Sequence, residues 1–243
     1  MSERDRDKQL FAFLGQYVTE NKKQKFEEVL KQRTRHLTIV LEDVFQPQNA
    51  SAVVRSCDCF GIQDLHVIEN QYKYNLNPRV VMGAAKWVNI KKYNSSDFNT
   101  PECYRYLRQH GYKIYATSPQ ESSLELDKFE VGEEKIALVF GTELTGLSDF
   151  ALENADGQIK IPMYGFTESF NISVSASMSM YDLVHKLRKS SVNWSLTKEE
   201  KKEVLMGWYR KVIKGVDIIE QEFHSRGGLD KETAAQLELN MVE

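Results

Sequence analysis

Three short stretches hold residues whose types and spacing could do chemistry. In LEDVFQPQNASAVVRSCDCFG, spanning 41–61, an apolar run ends at Glu42 and Asp43, Pro47 holds a loop, and Asn49 stands where a helix N-cap belongs. Six residues on, Arg55 lies about 200° round the helix axis from Val53, so it points away from the face of Val53, Val54 and Cys57. A solvent arginine and a capping asparagine explain this pattern. So does a pair at a ligand crevice, because ligands of parallel α/β sheets sit outside the carboxyl ends of the strands and this helix starts at one.

The second stretch is FGTELTGLSD, where Gly141 and Gly146 bracket a polar turn containing Glu143. Two glycines there suit close approach by a ligand, and a plain strand-to-helix turn equally. The GKS or GKT ending of a phosphate-binding loop is missing, and G-x-G-x-x-G occurs nowhere. The third is IPMYGFTESFNISVSASMSMYDLVHKLRK. Pro162 ends a strand, Gly165 permits a turn, and Ser169 and Asn171 precede a helix rich in Ser173, Ser175, Ala176, Ser177 and Ser179. Serine is a mediocre helix former, so such a run implies that another backbone packs closely against it. A serine hydrolase is excluded: Ser169 is flanked by Glu168 and Phe170 rather than glycines, and the five histidines suggest no triad.

These segments need a frame to position them. Strand-like runs at 37–43, 64–70, 87–93, 112–118, 135–141 and 157–163 alternate with helical stretches at 50–60 and 96–110 and a short one after Ser148. This alternation predicts an α/β fold with a mainly parallel, six-stranded sheet covered on both faces. Helical extensions are expected at both ends. Residues 4–18 and 22–33 have apolar side chains at helical spacing. Near the other end Thr197 to Glu200 forms a capping box, followed by one apolar stripe from Val204 to Phe223 that Gly227 and Gly228 terminate. The expected organisation is a basic helical segment at 1–36, the α/β domain at 37–190, and a helical extension with an acidic tail at 191–243.

The 243-residue chain is 41% hydrophobic and 28% charged, enough apolar mass for a real core. No run is long enough to span a bilayer, and MSERDRDKQL lacks a signal peptide's apolar segment. Three cysteines fit a reducing, cytoplasmic setting. Cys57, Cys59 and His66 lack zinc-site spacing, so no metal is expected. The net charge of −3 conceals a local excess: 22–36 holds six basic residues against Glu27 and Glu28, the kind of patch that attracts phosphates.

Taken in order, N-A-S-A-V-V-R-S-C-D-x-F-G, F-G-T-E-L-T-G-L-S and I-P-M-x-G-x-x-x-S-F-N-I-S-V-S-A-S resemble the motifs of the SpoU family of RNA 2′-O-ribose methyltransferases, in the SPOUT superfamily. The similarity spans roughly 37–188 and is closest to the TrmH type, which acts on guanosine-18 of the tRNA D-loop. It implies a trefoil knot in the C-terminal half of the domain, S-adenosylmethionine as methyl donor, and a homodimer whose active site borrows residues from both subunits. On the matching positions it implies Arg55 as the key catalytic residue, with Asn49, Glu143, Ser169 and Asn171 completing the site. Thr117, Gly141, Ile161, Met163 and Phe170 would bind the cofactor. Lys25, Lys31, Arg33 and Arg35 are expected to contact tRNA phosphates. Another RNA target, or a non-catalytic RNA-binding protein on the same fold, is the alternative.

Overall fold

The computed structural model describes residues 3–226 and 228. Gly227 and the acidic tail at 229–243 lie outside them. In chain order the elements are α1 (Glu3–Gly15), α2 (Glu20–Leu30), β1 (Leu37–Glu42), α3 (Pro47–Phe60), β2 (Asp64–Ile68), α4 (Pro78–Val81), β3 (Asn89–Tyr93), α5 (Thr100–Gln109), β4 (Tyr112–Thr117), β5 (Leu124–Glu125), β6 (Lys135–Phe140), α6 (Asp149–Glu153), β7 (Gly157–Lys160), α7 (Ile172–Lys189), α8 (Lys198–Val212) and α9 (Val216–Ser225). They divide into two compact units. One is Gln32–Ser195, and the other joins the described residues up to Lys31 with those from Leu196 onward.

The larger unit is built on a sheet in the order β3-β2-β1-β6-β4-β7-β5, with every strand pair parallel. The expected strand count of six is corrected to seven. The added strand, β5, is two residues long at the sheet edge, too short to leave a periodic signal. The central strands are buried on both faces, as all six residues of β1 are. Ile39, Leu41, Leu138 and Phe140 pack with Val53, Val54 and Cys57 of α3 and with Met180 and Leu183 of α7. On the opposite face Val40, Ala137, Val139 and Ile114 meet Cys103, Tyr104 and Leu107 of α5. Helices cover both sides because such strands are apolar on both faces.

From β1 the chain steps outward through β2 to β3, while β6 lies on the other side of β1. The strand order therefore reverses between β1 and β6, and the carboxyl ends of these two strands flank the crevice where open α/β sheets bind ligands. Asn49 and Glu143 follow these two strands.

His66 on β2 is 3% exposed and shares a 3.0 Å hydrogen bond with the Tyr93 hydroxyl. Burial, then the charges of Lys91 and His110, push its pKa down to about 3. The folded state thus keeps this imidazole neutral while the unfolded chain protonates it below about pH 6.5. Its contribution to stability is intact above that pH and is lost as pH falls towards 3, at up to about 1.4 kcal/mol per pH unit. Urea unfolding at several pH values between 6.5 and 4 is expected to give a shallower loss of stability for His66→Gln than for the native chain.

The smaller unit consists of α1, α2, α8 and α9. Phe26 packs on Trp208, Phe11 stacks on Tyr209, and Phe13 meets Phe223. The capping box forms as expected: the Thr197 hydroxyl accepts from the Glu200 N–H at 3.1 Å, and the Glu200 carboxylate accepts from the Thr197 N–H at 2.8 Å. The single apolar stripe is corrected to two helices. Ile213 leaves helical geometry and Gly215 takes a left-handed φ of 68°, so the stripe is shared between two helices separated by a break.

Candidate active site

The crevice between β1 and β6 is closed by three side chains from distant parts of the chain: the first turn of α3, the loop after β6 and the N-cap of α7. Asn49 Nδ2 donates to Glu143 Oε1 at 2.8 Å, Asn171 Nδ2 donates to the same oxygen at 2.8 Å, and Asn171 Nδ2 also reaches Asn49 Oδ1 at 3.0 Å. Gln46 Oε1 accepts from Asn49 Nδ2 at 2.8 Å. The amide orientations are fixed by the network itself. Asn171 Oδ1 accepts from the N–H and the hydroxyl of Ser173, which leaves Nδ2 to face the carboxylate. Asn171 is thus the N-cap of α7. The expected capping role of Asn49 is corrected: Pro47 opens α3, Gln46 takes the cap position, and Asn49, 6% exposed, is released to hold Glu143.

Small side chains set α7 in place, as its composition implied. Ala176 and Ser179 are buried, and Ser177 bonds both Ser56 of α3 and the Ser173 carbonyl at 2.8 Å. The helix therefore lies close against α3, with Cys57 Sγ 3.8 Å from Met180 Sδ. Burial raises the Cys57 and Cys103 thiols far above their usual range, so both are unreactive packing groups. Among the described residues no group of three or more His, Cys, Asp or Glu could hold a metal ion.

The Glu143 loop is anchored at both ends. Thr142 and Gly146 exchange backbone hydrogen bonds of 2.9 and 3.1 Å. Beyond them, Ser148 donates its N–H at 2.8 Å and its hydroxyl at 2.9 Å to the buried Glu42 carboxylate, which also accepts from the Thr100 hydroxyl. Sequence reasoning missed Glu42 as an anchor, although an acidic pair at the end of an apolar strand was a usable signal. A Cβ on Gly141 would lie 2.2 Å from the Gly146 carbonyl oxygen, whereas one on Gly146 meets nothing within 4 Å. Gly141→Ala is therefore expected to destabilise the protein by about 1–3 kcal/mol in urea unfolding, as overpacking does. At Gly146, whose φ is 69°, the same change costs only the left-handed backbone, about 1–2 kcal/mol.

Arg55 is exposed on α3 and makes no hydrogen bond or ion pair among the described residues. Ser169 is likewise exposed and outside the network. Thr117, Gly141 and Ile161 end or follow the adjacent strands β4, β6 and β7, so they share one edge. Ile161 and Met163 are half-buried and Phe170 is 41% exposed beside Asn171. The Thr117 hydroxyl donates to the Val139 carbonyl at 2.8 Å.

The basic set divides. Lys25 pairs with Glu28 on α2 and Lys31 is exposed after it. Arg33 is corrected: it is 2% exposed, pairs with Asp58 and donates to the Ile62 carbonyl, which commits its guanidinium inside the domain. Arg35 pairs with Asp64 at 2.9 Å.

The model of the SpoU rRNA Methylase family matches residues 36–181. A tRNA (guanosine(18)-2'-O)-methyltransferase of Borreliella burgdorferi is 44% identical over 212 residues, 87% of this chain and 95% of its own length. A Thermus thermophilus protein of the same name is 32% identical over 195 residues, 79% of this chain and 98% of its own. The crystal structure of an A. aeolicus TrmH/SpoU tRNA modifying enzyme superposes with a TM-score of 0.71 at 31% identity, covering 80% of this chain and 98% of that one.

Proposed function

This chain belongs to the SpoU methylase family, and we propose that it transfers a methyl group from S-adenosylmethionine to the ribose 2′-oxygen of guanosine-18 in the tRNA D-loop. The observation that carries this reading is the interlock of Asn49, Glu143 and Asn171 at the β1/β6 crevice. The names of the Borreliella and Thermus relatives support the reaction and the target.

The residues fit the cofactor. Thr117, Gly141 and Ile161 offer backbone at the ends of three neighbouring strands, with the apolar side chains of Ile161, Met163 and Phe170 beside them, and such a set suits an adenosine and a thioether chain. When bound, S-adenosylmethionine supplies an electrophilic methyl group on a sulfonium, which leaves without metal assistance. The protein's task is to hold the ribose in line and to manage charge. Arg55 presents a planar fork of N–H donors and no acceptor, so its role here is to clamp the substrate phosphate and stabilise the 2′-oxygen as its proton passes to solvent water. Glu143 fixes the two asparagine amides, Asn171 is committed to that network and to the start of α7, and the exposed Ser169 offers a hydrogen bond to the nucleoside.

The proposal includes a homodimer. Val174, Met178 and Tyr181 are exposed on α7 at helical spacing, at 44%, 41% and 62%, a stripe that a second copy would cover. Arg55 would then serve the partner's crevice, in keeping with its exposure and its lack of any bond to the network. It also includes a trefoil knot, a reading supported by the sheet order, in which β4 lies between the later strands β6 and β7, and by the contact of α7 with α3. The segment 1–36 contacts tRNA phosphates through Lys25 and Lys31, 37–190 carries the reaction, and 191–243 is the helical extension. A cytoplasmic location is supported by three free cysteines, and no helix among the described residues is long and apolar enough to cross a membrane.

Ribose-methylation mapping of RNA from a strain lacking the gene tests the target. Loss of the mark at guanosine-18 of tRNA is expected; an intact mark there with a loss in ribosomal RNA would move the reaction to a different substrate.

A further inference from the structure

Two large aromatic side chains outside the groups assigned so far stand exposed at the same sheet edge as Asn49. Phe45 follows β1 and Tyr72 follows β2, and these strands pair in parallel, so both loops leave from one edge. The rings are 41% and 46% exposed, with centroids 4.9 Å apart and planes inclined by 38°.

The pair is held from beneath by Asp43. This residue adopts a φ of 56°, left-handed geometry that is unfavourable for a residue with a Cβ. Its buried carboxylate accepts from the backbone N–H groups of Asn70 at 2.8 Å, Gln71 at 2.9 Å and Tyr72 at 3.2 Å, and its own N–H donates to the Ile68 carbonyl at 3.0 Å. One residue therefore fixes the starts of both aromatic loops. Gln46, next to Phe45, accepts from Asn49, so the ring pair is continuous with the catalytic crevice. Lys73, beside Tyr72, is exposed, and so is Arg79 on α4 further along the same connection, while Lys92 is paired with Glu69 at 3.0 Å.

We propose that the Phe45–Tyr72 pair is a stacking platform for an unpaired base of the RNA substrate, next to the nucleotide being methylated. This rests on the RNA reading above. Exposed rings beside the exposed ammonium of Lys73 match what single-stranded RNA presents, a flat π face on a phosphate chain. Two rings alone are too small an apolar core for a stable protein interface.

The test compares the double variant Phe45→Leu/Tyr72→Leu, which keeps apolar bulk, with Phe45→Tyr/Tyr72→Phe, which keeps the π faces. The native enzyme and both variants are assayed on unmodified tRNA, with S-adenosylmethionine affinity by calorimetry and mass by sedimentation. The leucine variant is expected to raise KM for tRNA about tenfold, the size of one lost stacking contact, with cofactor affinity unchanged, and the aromatic swap to retain native KM. An unaltered KM in the leucine variant, equal losses in both variants, or a monomeric leucine variant would each overturn the proposal, the last by assigning the rings to a second copy of this chain. A native enzyme that methylates no RNA would instead remove the reading on which it rests.

Discussion

Arg55→Ala is expected to lower methyl transfer to tRNA by at least about 10²-fold, a loss of about 2.7 kcal/mol of transition-state stabilisation, while S-adenosylmethionine binds within about twofold of its native affinity. The physical basis is the isolation of this side chain. It is exposed and has no protein partner among the described residues, so removing it leaves no buried group unsatisfied and no cavity, and stability should scarcely change. Arg55→Lys keeps the charge but not the planar fork, and is expected to recover only a small part of the rate. Because the proposed dimer places Arg55 in the partner's crevice, mixing Arg55→Ala with Asn171→Ala protomers should restore activity through dimers that hold one intact site. Full activity of Arg55→Ala alone would remove its assigned role.

The second large effect is expected at Glu143. Its Oε1 receives two amide donors, each at 2.8 Å, and a hydrogen bond to a charged group contributes about 1.5–3 kcal/mol. Glu143→Ala should therefore release both asparagines and reduce kcat by about 10²-fold or more, while Glu143→Gln keeps an acceptor in place and loses less. The three residues act as one unit, so Asn49→Ala and Asn171→Ala should each cost nearly what the double variant costs, a non-additivity that a double-mutant cycle measures. Additive losses would mean that the two amides work independently.

Much of this arrangement was legible in the residues, and the failures have identifiable causes. Strands β1 and β6 were readable because strands buried on both faces demand unbroken apolar runs. The two-residue β5 has no period to read. Asn49 reads as a cap because asparagine before an apolar helix is the ordinary signal; Pro47, favoured in the first turn, starts the helix three residues earlier. The break at Gly215 was hidden by an apolar stripe that runs on through it.

Non-local pairing was harder to foresee. Arg33 and Arg35 looked like a phosphate-contacting patch, yet their partners Asp58 and Asp64 lie more than twenty residues away. Nothing in the spacing of Asn49, Glu143 and Asn171 announces that they meet, since 94 residues separate the first two. Only the ordered resemblance to a known family brought them together before the fold did. The anchors Glu42 and Asp43 escaped because a buried carboxylate reads from sequence like any other acid.

The most direct measurement is methyl transfer from labelled S-adenosylmethionine to an unmodified tRNA transcript by the purified protein, followed by nuclease digestion and mass mapping of the product. One methyl group on the ribose oxygen of guanosine-18 is the predicted result. Label on a base, or no label in any RNA despite measurable cofactor binding, would contradict the account.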